Sequence, residues 1–430
     1  MSIGKYAEYK MLDATWMGAI PTHWAAKRLG VLFTERREKV NDRDYPPLSV
    51  TKNGVVPQLD TAAKTDDGDN RKKVCIGDFV INSRSDRKGS SGKSVLDGSV
   101  SLINTVIHPS DDISIDYSHY LLRSVPFQEE YYKFGKGIVA DLWSTNYSEM
   151  RSIILPLPPF PEQTAITTFL DRETAKIDAL VNEQKRLIEL LKEKRQAVIS
   201  HAVTKGLDPN VKMKPSGVEW LGDVPEHWDI RKAGSLGSLF GSEQIGDEDV
   251  CDYGEVSFIK VSSLSEFDFE VKSLEWFVNN DKLSSIKPKK DFIVFPKRGA
   301  AILLNKVNIV NTLSVLDPNL MGWKIDPTNF LRFIAYSIKA RRIEELADVS
   351  TVPQINNKHI NPVKFALPPL NEQIEICHYI DEELKNADKL IDDIIRSIQI
   401  LGERRSALIS AAVTGKIDVR SLTSDQAAAE

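Results

Sequence analysis

The residues most suggestive of chemistry are Gly89-Ser-Ser-Gly-Lys-Ser94, which have the composition of a phosphate-gripping loop. A P-loop would also place a glycine at position 87, so that consecutive backbone N–H groups wrap the phosphate, and that residue is Arg. The segment therefore reads as a flexible basic loop whose backbone, with Ser90, Ser91 and Lys93, could still grip phosphate. Tyr45-Pro-Pro-Leu48 and Leu157-Pro-Pro-Phe160 lack the Asn or Asp with which an amino-methyltransferase orients its target amine. Asp317-Pro318 and Asp326-Pro327 are turn formers without the nearby acidic-x-Lys partner of a nuclease core. His23 and His227, each beside Pro and Trp, suit packing or hydrogen bonding better than metal ligation. Cys75, Cys251 and Cys377 are too far apart for a CxxC pair, a zinc site or a disulfide framework. These motifs give no catalytic site and no metal site.

Charge is the other candidate chemistry. The 430 residues hold 56 Lys+Arg and 61 Asp+Glu, a formal net charge of −5, which taken alone argues against nucleic acid. Resolved by region, the excess lies mainly in residues 367–418, with 6 basic and 10 acidic side chains. Elsewhere basic residues cluster at matching places. Arg71-Lys72-Lys73 precede a strand-like run, and Arg84, Arg87, Lys88 and Lys93 follow it. Lys287, Lys289 and Lys290 precede a second such run, and Lys297-Arg298 follow it. The duplication suggests a pair of phosphate-facing patches.

The elements that carry these clusters are themselves duplicated. Residues 157–208 align with 367–418 at a constant offset of 210, with 22 identities over 52 positions. Trp16-Met-Gly-Ala-Ile-Pro-Thr-His-Trp24 aligns with Trp220-Leu-Gly-Asp-Val-Pro-Glu-His-Trp228. Each half is thus a short Trp motif, a divergent region and a helical segment. In the helical segments apolar residues recur in steps of four and three: Ile166, Leu170, Ile177, Leu180, Leu187, Leu191 and Val198, with their equivalents from Ile376 to Leu408. That is a coiled-coil seam, beginning at Pro-Glu-Gln or Asn-Glu-Gln and stopping near Gly206 and Gly415. Glu173 and Glu383 interrupt it and predict a kink or polar layer. Each helix should run about 40 residues, or roughly 60 Å, and the two should pair with each other. Ile391, Ile394, Ile395, Ile398 and Ile400 add apolar surface that suits either a wider core face or a docking surface.

The divergent regions read as mixed α/β. Strand-like runs are Lys73–Ile81, Val100–Ile107, Val256–Val261 and Asp291–Phe295; helix-like runs are Tyr117–Ser124 and Asn329–Leu346. Gly77-Asp-Phe-Val-Ile81 recurs as Lys290-Asp-Phe-Ile-Val294, which predicts a shared fold. The organisation is 1–156, Trp motif and first globular domain; 157–208, first helix; 209–366, Trp motif and second globular domain; 367–418, second helix; 419–430, flexible tail. The fold class is α/β, of α+β type: two similar globular domains separated by two long helices paired as an antiparallel coiled coil, with a pseudo-twofold internal repeat. No apolar run is long enough to span a membrane, and Met1–Lys10 lacks the apolar core of a signal peptide, so a cytoplasmic location is expected.

The duplicated Leu-Pro-Pro-x-x-Glu-Gln opening (157–163, 367–373), the long helices and the closing Ile-Ser-x-Ala-Val-Thr (199–204, 409–414) resemble the specificity subunits of type I restriction-modification systems. So does Val218-Glu-Trp-Leu-Gly-Asp-Val-Pro-Glu-His-Trp228; Met11-Leu-Asp-Ala-Thr-Trp16 departs locally from that form. The resemblance covers about residues 11–418. It implies that each divergent region is a target recognition domain reading half of a bipartite double-stranded DNA target. The helices would set the spacing and dock two modification (methyltransferase) subunits. It further implies a non-catalytic chain that binds no cofactor itself, with S-adenosylmethionine, ATP and Mg on partner subunits, restriction/translocase subunits among them. DNA contacts are expected from Arg84, Arg87, Ser90, Ser91 and Lys93 in the first domain, and Lys297, Arg298, Gln354, Asn356 and Asn357 in the second. Arg suits guanine and phosphate, Asn and Gln suit adenine. Gln354-Ile-Asn-Asn357, in register with Ser144–Tyr147, is alternatively just a turn leading to a strand. A coiled-coil tether binding proteins without DNA readout is the reading that periodicity alone also permits.

Overall fold

A computed structural model describes residues 4–12, 14–60, 68–137, 143–272, 274–348 and 352–424. The chain divides into two units, Met1–Lys185 with Ile395–Glu430, and Arg186–Ile394. Both are built on the same four-stranded antiparallel sheet. In the first unit its strands are β1 (Phe33–Glu35), β2 (Phe79–Asn82), β3 (Ser91–Lys93) and β4 (Asn104–Pro109), in the order β3-β2-β4-β1. In the second they are β5 (Gly237–Phe240), β6 (Phe292–Pro296), β7 (Asn308–Val310) and β8 (Leu320–Ile325), in the order β7-β6-β8-β5. The recurring Asp-Phe runs thus open equivalent strands, β2 and β6. Phe79, Val80 and Ile81 are all buried, as is every residue of β6, which is why these strands read as unbroken apolar runs. Gly322 of β8 is needed where the ring of Phe240 lies across it: a Cβ there would sit 2.2 Å from Cζ. A second four-stranded sheet in the Arg186–Ile394 unit contains a parallel pairing of Ser257–Ile259 with Ser314–Leu316.

Two strand expectations need correction. The run Lys73–Ile81 is two strands, Arg71–Val74 and β2, in different sheets. Gly77 at φ +88° turns the chain between them, and the Asp78 carboxylate accepts the Cys75 N–H at 2.8 Å. Val100–Ile107 likewise splits at Ser101, whose carbonyl accepts two bonds from Asn104. The helix expected at Tyr117–Ser124 is α1 (Ile115–Leu121), followed at once by α2 (Val125–Lys133). The one expected at Asn329–Leu346 is α3 (Leu331–Arg341), which stops where Arg342 takes φ +64°.

The long helices span Phe160–Lys205 and Leu370–Val413, 46 and 44 residues. Neither breaks at the glutamates on its seam. Glu173 pairs with Arg172 and Lys176, and Glu383 lies 3.8 Å from Lys194 of the other helix. The helices run antiparallel within each unit. In the first, Arg405 meets Asp178 and Gln184 meets Ser397. In the second, Arg195 meets Asp388. Arg195 and Asp178 are the repeat equivalents of Arg405 and Asp388, so one ion pair occurs twice with the helices exchanging roles. The seam itself is covered only in part. Ile166, Leu170, Ile177, Ile376, Ile380 and Ala387 are buried, whereas Leu180, Leu187 and Leu390 are exposed; Ile166, Leu170, Ile376 and Ile380 also belong to the cores of the globular structure. Of the added isoleucines, Ile395 and Ile400 are exposed.

Each helix is fastened by its Glu-Gln pair. Glu162 is buried, and its carboxylate accepts from Tyr6 Oη (2.5 Å) and Trp24 Nε1 (3.0 Å) and lies 2.8 Å from His23 Nε2. Glu372 repeats the contacts to Trp228 (3.0 Å) and His227 (2.8 Å). A buried carboxylate is costly unless its oxygens are satisfied, and here the Trp motif satisfies them at a helix N-terminus whose dipole favours the charge. The neighbouring Gln163 and Gln373 amides accept from the Ser114 and Phe330 N–H groups and donate to the Pro158 and Pro368 carbonyls. The predicted stops are left-handed glycines, Gly206 at φ +75° and Gly415 at φ +72°. The tail expected at 419–430 starts as structure: Val419 is buried and Arg420–Ser424 is helical, while 425–430 lie outside the described residues.

Candidate nucleic-acid interface

In both units the end of the central strand is bridged by the segment that leads into a long helix. After β2, Arg84 forms an antiparallel backbone bridge with Ser144, and the Thr145 N–H donates to the Ser83 carbonyl at 3.0 Å. After β6, Arg298 forms the equivalent bridge with Gln354, and the Ile355 N–H donates to the Lys297 carbonyl at 2.9 Å. The register expected between Ser144–Tyr147 and Gln354–Asn357 is therefore realised in space. Each bridge leads into a one-turn helix, Tyr147–Met150 or Asn357–Ile360, and then into the strand before the long helix.

In the second unit the candidate residues come together. Arg298, Gln354, Asn356 and Asn357 are all exposed, and Lys297 is half-buried beside them. The Asn356 side chain accepts from the Lys358 N–H at 3.2 Å, which makes it a helix cap as well. In the first unit they divide. Arg84 precedes and Arg87 ends a short 3-10 turn, Ser85–Arg87, the two flanking Asp86 at 3.4 and 3.6 Å. Ser90 and Ser91 are buried, Ser91 pairing with Ile81 at the start of β3. They offer no surface to a duplex unless the sheet edge opens. The Lys93 ammonium is held by Asp116 of α1. The Arg71-Lys72-Lys73 cluster also turns inward. Arg71 is buried on Ser99, Lys72 reaches the Asn104 carbonyl, and Lys73 pairs with Glu38, so a phosphate-facing role is corrected to one within the sheet. Lys287 and Lys290 are exposed, and Lys289 lies 3.8 Å from the centre of the Phe240 ring. Sequence reasoning missed Lys136, whose backbone also bridges Ser144 and whose side chain is exposed; only the fold brings it beside Arg84.

Electrostatics separates presented cations from buried ones. Burial pushes Lys339 of α3 down to about 8, where it donates to the Glu266 and Asn305 carbonyls. Burial, then Arg123 and Lys93, hold His119 of α1 down at about 3, so it is neutral. Among the described residues no group of His, Cys, Asp or Glu could hold a metal ion, and no helix is long and apolar enough to cross a membrane.

Comparison with known proteins places this geometry. Residues 225–399 match the family model of the type I restriction modification DNA specificity domain. A Methanocaldococcus jannaschii chain assigned as the specificity subunit of the type I restriction enzyme MjaX is 21% identical over 94% of this chain and 96% of its own length. The type I restriction enzyme StySPI specificity subunit of Salmonella potsdam is 21% identical over 93% of this chain and 90% of that one. A solved chain from work on complex assembly and conformational transition of the type I R-M system shares the fold. It has a TM-score of 0.64 and 16% identity, and the match covers 92% of this chain and 98% of that one.

Proposed function

We propose that this chain, a specificity subunit of a type I restriction-modification system, reads a bipartite double-stranded DNA target with one recognition domain for each half. The observation that supports this most directly is the pair of equivalent strand-end bridges. One scaffold position presents Ser144 beside Arg84 in the first unit and Gln354 beside Arg298 in the second, as two readers of different half-sites would. Arg87, Arg298, Gln354 and Asn357 are the exposed candidates for base or phosphate contact, with half-buried Arg84 and Lys297 beside them. The paired helices set the gap between half-sites and dock two methyltransferase subunits. Exposed Leu180, Ile395 and Ile400 in the first unit, and Leu187, Leu190 and Leu390 in the second, supply apolar surface for that docking. S-adenosylmethionine, ATP and Mg belong to the partner subunits in this reading, and the complex works in the cytoplasm. The test is methylation by the complex assembled with R84A/R87A or with R298A/Q354A chains. Each variant should relax or lose reading at one half-site and keep the other. Unchanged methylation by both would remove these loops from the readout.

A further inference from the structure

We propose that the pocket bounded by Lys52, Lys88, Arg123 and Arg405 in the first unit seats one phosphodiester group of the bound DNA. This rests on the DNA-reading function proposed above and adds a contact outside the reading loops. The pocket is an open cavity of about 470 Å³, lined also by Gly89, His119, Tyr120, Val125, Gln128 and Glu129. Four cations converge on it: Lys88 pairs with the lining Glu129 at 2.5 Å and Arg405 with Asp178 at 3.0 Å, which leaves Lys52 and Arg123 without a carboxylate partner among the described residues.

Arg123 is the centre of the argument. Its guanidinium donates to His119 Nε2 at 3.0 Å and to the Lys52 carbonyl, both neutral acceptors. Among the described residues it has no carboxylate partner, and burial and Arg405 both disfavour its charge. An anion in the pocket would relieve that directly. The N-terminus of α2 opens on the same space. Val125 is its first residue and lines the pocket, and the Ser124 hydroxyl donates to the Leu121 carbonyl instead of capping; Pro126 has no N–H, so the Val125 N–H is the one this helix end offers to an anion in the pocket.

The other unit supplies an internal control. Tyr120 and Tyr336 both bond to the equivalent aspartates Asp171 and Asp381, which makes Arg123 the counterpart of Lys339 and Arg405 that of Arg195. There the chain's own carbonyls fill the role of the anion. Lys339 donates to Glu266 at 2.7 Å, Arg195 donates to Phe267 at 3.0 Å, and Glu189, Glu193, Glu266 and Glu344 balance the cations of the cavity. In the first unit the Lys52 carbonyl meets Arg123, but among the described residues no carbonyl meets Arg405 as that of Phe267 meets Arg195, and Glu129 is the one carboxylate lining the pocket. A backbone phosphate is the favoured occupant because the pocket continues from the proposed reading loop: Lys88 and Gly89 directly follow Arg84–Arg87.

The test uses the complex of the full chain with its methyltransferase subunits, with K52E and R123Q substitutions. K52E changes an exposed side chain, which protects the experiment against misfolding of R123Q. Affinity is measured by anisotropy over a salt series on a target duplex and a random-sequence duplex. Both variants should bind both duplexes several-fold more weakly, with a log–log salt slope reduced by about one, while the methylated sequence stays the same. Unchanged affinity and slope would overturn the proposal. So would protection of the wild type by inorganic phosphate, lost in R123Q, with no change in duplex binding, which would mark a free-anion site. So would weakened assembly with the methyltransferase subunits at unchanged DNA affinity, which would mark an acidic protein partner. Failure of the unmodified complex to bind or methylate DNA would instead sink the underlying reading.

Discussion

Glu162 carries more of the architecture than its place in a repeated motif suggests. Removing its carboxylate leaves the Trp24 indole N–H and the Tyr6 hydroxyl without their acceptor in a buried site. E162A should therefore destabilise the protein by about 1–3 kcal/mol, measured by urea unfolding. A loss within error would show that the clamp is redundant. The reading residues belong to a different class, with little effect on stability. R298A should cost about 1–3 kcal/mol of binding if it reads a base, with unfolding unchanged. His119 gives a pH prediction whose sign is fixed. Its folded pKa of about 3 lies below the ordinary value of 6.5, so between those values the unfolded chain takes up a proton that the folded chain refuses. Stability is thus lost as pH falls through that window, and H119Q should flatten this loss in unfolding experiments between about pH 7 and about pH 4.5. Equal losses in both proteins would contradict it.

At the scale of elements, the long helices were legible because a four-three apolar period, Glu-Gln starts and glycine stops all agreed, and because each feature occurs twice. The sheet equivalence was legible in the Asp-Phe runs. The breaks within strand-like runs were not, since the turn at Gly77 is set by an Asp78 contact inside an apolar stretch. The burial of Ser90 and Ser91 was equally hidden: a small polar residue looks the same facing solvent or packed at a sheet edge. The Arg123 pocket draws on residues from 52 to 405 and has no local signature at all. The helix ends offer a sharp test of the architecture. A Cβ at Gly415, already at φ +72°, would meet Pro21 Cδ at 2.4 Å, whereas at Gly217, φ +67°, it would meet nothing within 4 Å. G217A should cost only the left-handed strain, about 1–2 kcal/mol, and G415A distinctly more by thermal or urea unfolding. Equal costs would mean that Gly415 stops the helix without packing on the Trp motif. Inserting four residues into one helix adds about 6 Å; if the helices act as a ruler, the gap in the methylated motif changes by one or two base pairs. An unchanged gap would remove the ruler.

For the whole molecule, net charge is a poor guide to partners. The −5 total is concentrated on the second long helix, while cations gather locally at strand-end loops and around one pocket. On this account DNA affinity is shared with the methyltransferase subunits, so the isolated chain should bind duplex weakly, and tight sequence-specific binding by the chain alone would contradict that. The most direct test of the central claim is the methylome of cells carrying the gene compared with cells lacking it. The account predicts one motif of two defined half-sites separated by a fixed unspecified gap, methylated only when the gene is present. Identical methylomes, or a lost motif that is continuous and undivided, would contradict it.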